Sequence, residues 1–87
     1  MRKKAKFSDR YKMLRELLVK TRADAGMNQA DVARKLGVPQ SYVSKVESGE
    51  RRLDVVEFIR LVEASGSDPV RIVRAVQAVH ERAERKK

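Results

Sequence analysis

An all-α fold of five short helices is what this 87-residue sequence predicts. Three observations carry the prediction. Apolar residues recur at helical spacing along the chain, sustained period-2 alternation is missing, and no Asn-Gly or Asp-Gly pair signals a hairpin turn. The connections between periodic segments are short, as in a compact helical domain.

The first helix opens at Ser8 or Asp9, either of which can cap it. Its inner face runs Tyr11, Leu14, Leu18 and Thr21 to Ala25, with Leu17 beside it, and it stops at Gly26. Asn28 caps the second helix, and Asp31 sits in its first turn, where a carboxylate suits the helix dipole. That helix carries Val32, Ala33 and Leu36 and ends at Gly37. Only Gly37 and Val38 separate it from a third helix opened by Pro39, a residue at home in a first helical turn. Val43 and Val46 face inward there, and Gly49 ends the helix. Asp54 and Glu57 have the spacing of a capping box at the start of the fourth helix, which continues through Val55, Phe58, Ile59 and Val62 to Gly66. Asp68-Pro69 opens a fifth helix through Ile72, Val73, Val76, Val79 and Ala83, fraying after Glu84.

Twenty-one Lys and Arg against twelve Asp and Glu give a net charge of +9. Residues 1–22 hold nine bases and two acids, whereas residues 28–50 are neutral. The expected organisation is a basic arm over 1–7, one domain over 8–84 and a basic tail over 85–87. Such an arm is drawn to phosphates through counterion release, although a charge run alone reads equally as a solvated tail. With no cysteine there is neither a disulfide framework nor a thiolate metal site. No apolar run approaches the roughly 20 residues of a membrane span. Lys12, Arg15, Glu16 and Lys20 interrupt the stretch that a signal peptide would need after the basic start. A cytoplasmic location is expected.

Residues 29–48 are the informative stretch. Two short helices joined by so tight a glycine turn are set at roughly 90–120° in a helix-turn-helix. Ala33 is small where the second helix crosses the third, Gly37 supplies positive φ, and Val32, Leu36, Val38, Val43 and Val46 share one core. On the third helix Val43, Val46, Glu47 and Pro39 cluster on one side; Ser41, Lys45 and Ser48 lie opposite, with Ser44 beside them and Tyr42 on the flank. A small polar outer face suits a helix entering the major groove. Gln40 stands at its leading end, where recognition helices contact base edges.

Over roughly residues 10–75 the sequence resembles the lambda-repressor and Cro family, also called xenobiotic-response-element-like. The resemblance rests on Arg22 four before Gly26, Asn28-Gln29, Ala33, Gly37, and Gln40-Ser-Tyr-Val-Ser-Lys-Val-Glu-Ser-Gly49 in register. It implies a compact five-helix domain acting as a sequence-specific regulator on double-stranded DNA, a repressor, held at the nucleoid by that binding. Gln40 would be the principal base reader, its amide able to pair with adenine N6 and N7. Ser41, Ser44 and Lys45 would complete the groove contacts, and Gln29, Ser48, Arg51 and Arg52 would meet phosphates. Arg22 and Glu47 would form a structural ion pair. Thr21, Ser65 and Ser67 stand where the family usually has aliphatic residues, which implies a looser core at those points. Antitoxins and accessory regulators of this family join the same fold to a protein-binding surface, and small restriction-modification controllers also belong to it. Both remain as alternatives, their protein partner unknown.

No enzyme is expected. His80 is the single histidine, without a cysteine or second histidine to complete a zinc site. Ser41, Ser44 and Ser48 have no nearby base or Gly-x-Ser-x-Gly context, and no glycine loop is present to cradle phosphate. No cofactor or metal is implied. Four aromatic residues are few for stacking single-stranded RNA. Ile72, Val76, Val79 and Ala83 fall on one stripe of the fifth helix with Val73 beside it, more apolar surface than so small a domain needs. A homodimer through this stripe is expected, the alternative being that it folds back to complete the monomer core. A two-fold dimer would read an inverted-repeat operator with half-sites about 34 Å apart.

Overall fold

The computed structural model describes residues 8–80. Among them all regular structure is helical: α1 (Asp9–Asp24), α2 (Gln29–Leu36), α3 (Gln40–Ser48), α4 (Val55–Ala64) and α5 (Pro69–Gln77). The arm over 1–7 and the tail over 85–87 lie outside the described residues.

Side-chain caps fix where four of the five helices begin. Ser8, rather than Asp9, caps α1, its hydroxyl accepting from the Tyr11 N–H at 3.1 Å. Asn28 and Asp31 form a full reciprocal box at α2: Asn28 Oδ1 accepts from Asp31 N at 2.8 Å, and Asn28 N donates to Asp31 Oδ2 at 2.9 Å. Asp54 and Glu57 repeat the arrangement at α4, with bonds of 2.7 and 3.0 Å. Asp68 accepts from Val70 N at the start of α5, and Pro69 takes the first helical position, where its missing N–H costs nothing. Pro39 itself is extended and precedes α3 as its cap residue, so that helix begins one residue later than the sequence predicts.

The helices close a ring: α1 packs on α3, α3 on α2, α2 on α4, α4 on α5, and α5 back on α1. Every helix contributes to the core inside it. Leu18 comes from α1, Val32 and Ala33 from α2, Val43 and Val46 from α3, Leu61 and Val62 from α4, and Ile72 from α5. Each large aliphatic side chain buried there contributes roughly 1.5–3 kcal/mol. Ser65, buried at 5% exposure, donates to Leu61 O at 3.0 Å, so its hydroxyl is satisfied inside the core. Ala25, expected on the inner face, is exposed at the end of α1.

The fifth helix is shorter than its apolar stripe. It closes at Gln77, where Arg10 of α1 donates to Gln77 O at 3.2 Å and to Val79 O at 3.0 Å. Those carbonyls are acceptors that another helical turn would use. Ile72 sits in the core at 6% exposure, and Val76 packs partly buried against it. The inward-facing part of the stripe thus belongs to the protomer. Val79 follows the helix, and Ala83 lies outside the described residues.

Candidate nucleic-acid interface

The turn between α2 and α3 fixes their crossing. Gly37 adopts φ of +74°, and the following N–H, of Val38, donates back to Ala33 O at 3.0 Å. Ala33 is buried at 3% beneath this crossing. Val43 and Val46, each at 1%, root α3 in the core and leave Gln40, Ser41, Lys45 and Ser48 exposed, with Ser44 half-buried between them.

One network sets the leading end of α3. Arg22 Nε and Nη2 donate to Glu47 Oε2 and Oε1 at 2.6 and 2.9 Å, a bidentate pair joining α1 to α3. The two side chains are 17% and 8% exposed, so the pair is largely withdrawn from water. The hydrogen bond to Glu47 raises the Arg22 pKa against the opposing effect of burial. Arg22 also reaches Met27 O, and Arg15 donates to the Glu47 carbonyl at 3.1 Å. Gln29 Nε2 donates to Glu47 Oε1 at 2.9 Å, and Gln40 Nε2 donates to Gln29 Oε1 at 3.3 Å. Gln40 is thereby held at the end of a chain that starts on a buried ion pair. Gln29 keeps a second amide N–H for another partner.

The α3–α4 loop is fixed by a second group of contacts. Arg51 N donates to Lys45 O at 3.1 Å, its guanidinium lies 4.5 Å from the Tyr42 ring centroid, and Nη1 and Nη2 donate to Glu57 at 3.3 and 3.2 Å. Glu57 is held below the ordinary carboxylate range, first by Arg51 and then by the Asp54 N–H. Burial pushes the Tyr42 hydroxyl pKa up. Arg52 stacks over Tyr11 of α1 at 4.0 Å. Ser48 Oγ donates to Lys45 O at 3.1 Å within the last turn of α3.

Gln29, Gln40, Ser41, Ser44, Lys45 and Ser48 therefore belong to α2 and α3, with Arg51 and Arg52 on the loop that follows. Sequence reasoning missed Arg15, Tyr42, Glu57 and Tyr11 as the groups that hold this region in place. The capping spacing marked Glu57, but nothing local marked its second role on Arg51. Among the described residues no acidic, histidine or cysteine cluster could hold a metal ion, and no helix is long and apolar enough to cross a membrane.

Two short helices crossing over a positive-φ glycine, the second presenting a polar outer face, define a helix-turn-helix protein. Residues 18–72 match the family model described as helix-turn-helix. The chain is also similar to the solved structure of an XRE-family like protein from Pseudomonas syringae pv. tomato str. DC3000. The two share 44% identity at a TM-score of 0.77, over 80% of this chain and 85% of that one. No curated protein matches. This chain belongs to the XRE and lambda-repressor-like helix-turn-helix family, and it is a DNA-binding transcription regulator. The fold of that family is typically non-enzymatic.

Proposed function

We propose that the protein is a repressor that reads a specific duplex sequence with α3 in the major groove. The observation that carries this reading is Gln40, exposed at the start of α3 yet held by Gln29 and, through it, by Glu47. An amide fixed before DNA arrives loses less freedom on pairing with a base. Ser41, Ser44 and Lys45 supply the remaining base-edge contacts. Gln29, through its second N–H, contacts phosphate together with Ser48, Arg51 and Arg52. A guanidinium has five donors, so Arg51 can keep Glu57 and still meet a phosphate oxygen.

The operator is an inverted repeat read by a homodimer. Supporting this, Val55, Val56, Val70 and Val73 are 72%, 63%, 54% and 52% exposed on α4 and α5. Val55 and Val73 border an apolar groove of about 490 Å3 floored by Leu14, Leu53 and Phe58, with Arg10 and Asp54 at its edge. A two-fold axis sets residue i against j and j against i, so each copy would offer the opposite charge to its partner's rim. This surface, whose wall includes Val76, takes the place of the inward Ile72 as the dimer contact.

Selection of binding sites from random duplex DNA, followed by gel-shift competition, tests the reading. A recovered palindrome must outcompete random duplex and RNA by at least about tenfold. Recovery of no consensus would overturn it.

A further inference from the structure

A cavity of about 380 Å3 opens between the second half of α1, the α4–α5 turn and α5, and neither α2 nor α3 contributes to its lining. Four Ser or Thr hydroxyls make no hydrogen bond among the described residues: Ser41 and Ser44 on α3, and Thr21 and Ser67. The second two both line this cavity. Arg71 lines it as well, exposed and without an acceptor for its guanidinium among the described residues. The remaining charges on the wall, Lys20 and Asp24, pair with each other at 2.8 Å. One positive charge is left over. Leu17, Ile72 and Ala75 supply apolar wall beside it.

We propose that this cavity binds a small organic monocarboxylate. Its carboxylate sits on the Arg71 guanidinium and accepts from the Thr21 and Ser67 hydroxyls, while a short apolar body lies against Leu17, Ile72 and Ala75. The planar guanidinium fork matches a carboxylate in geometry as well as charge. A single surplus positive charge balances a monoanion, whereas a phosphate dianion would face Asp24 with charge to spare. An inorganic ion would also leave the apolar wall unused. With so few contacts, binding falls at a dissociation constant of about 1 mM.

Amide NMR titration of the free, full chain with sodium benzoate at constant ionic strength tests this. The test contains no DNA, so its outcome is separate from that of the DNA-binding reading. Benzoate is expected to shift the Thr21, Ser67 and Arg71 signals saturably, and Arg71→Met to weaken binding about tenfold. Thr21→Val with Ser67→Ala should weaken it as well. Benzyl alcohol, which lacks the charge, and inorganic phosphate, which lacks the apolar body, should each bind far more weakly than benzoate. The same spectra report whether the variants are folded, and the three-ligand comparison on the unmodified protein decides if one is not. No saturation by about 10 mM benzoate overturns the proposal. So do shifts confined to α2 and α3, unchanged binding by either folded variant, or phosphate or benzyl alcohol binding as tightly as benzoate.

Discussion

Glu47 accepts from three side-chain donors, two on Arg22 and one on Gln29, and its backbone carbonyl takes a fourth from Arg15. Removing the carboxylate strands a guanidinium that is 17% exposed. Breaking one partner of a buried pair typically costs about 3–5 kcal/mol, so Glu47→Ala should lower the melting temperature sharply. An unchanged melting temperature would show that the pair does not matter. Gln40 is the opposite case, exposed and outside the core, so Gln40→Ala should leave stability nearly untouched. It should instead narrow the gap between operator and random duplex by about 1–3 kcal/mol, the worth of a bidentate base contact. Competition gel shifts measure that gap directly. Arg52→Ala should weaken binding to all sequences alike and reduce the salt slope by about one, because a phosphate contact carries no sequence information.

At the scale of elements, the crossing of α2 and α3 depends on one backbone conformation. A Cβ at Gly37 would meet nothing within 4 Å, so the cost of Gly37→Ala is the φ of +74° itself, not a collision. That cost is about 1–2 kcal/mol, measurable as a lower denaturant midpoint with unchanged m-value. The α3–α4 loop responds to acid in a stated direction. The Glu57 pKa is lower in the folded chain than in the unfolded one, chiefly through Arg51. Its contribution to stability is therefore complete above the ordinary carboxylate range and is lost as pH falls through the lowered folded value. The stability difference between the unmodified protein and Glu57→Gln should shrink over that window and stay flat above it. A difference independent of pH would remove the ion pair from the account.

For the whole molecule, charge and symmetry set the behaviour on DNA. Arg2, Lys3, Lys4 and Lys6 lie outside the described residues, and their deletion removes four of the twenty-one cations. Loss of residues 2–6 should raise the dissociation constant at low salt, flatten the salt dependence and leave site preference alone, because counterion release is blind to sequence. Wild-type affinity at low salt would make the arm a solvated tail. Val73, half exposed on α5, offers a test of the dimer that spares the core. Val73→Asp should sediment as a folded monomer and bind a palindrome as weakly as a half-site. If the unmodified protein sediments as a monomer both free and on the palindrome, the dimer is wrong.

Five helices, most of their caps and the inward set Leu18, Val32, Ala33, Val43, Val46 and Val62 were legible in the sequence because the signals are local. A helix period repeats within four residues, and a capping bond such as that of Asp54 to Glu57 spans three. The pairing of Arg22 with Glu47 and the role of Gln40 as principal base reader came from family resemblance, since neither periodicity nor capping joins residues 25 apart. Tertiary structure alone decided that Arg51 rests on Tyr42 and Glu57, that Arg52 covers Tyr11, and that Arg10 ends α5 from 67 positions away. It also decided that Ile72 completes the protomer while Val73 faces solvent. With twenty-one cations in the chain, any of several could meet a given acceptor. Which one does depends on how the packed helices bring distant segments together, a quantity that no short window of sequence contains.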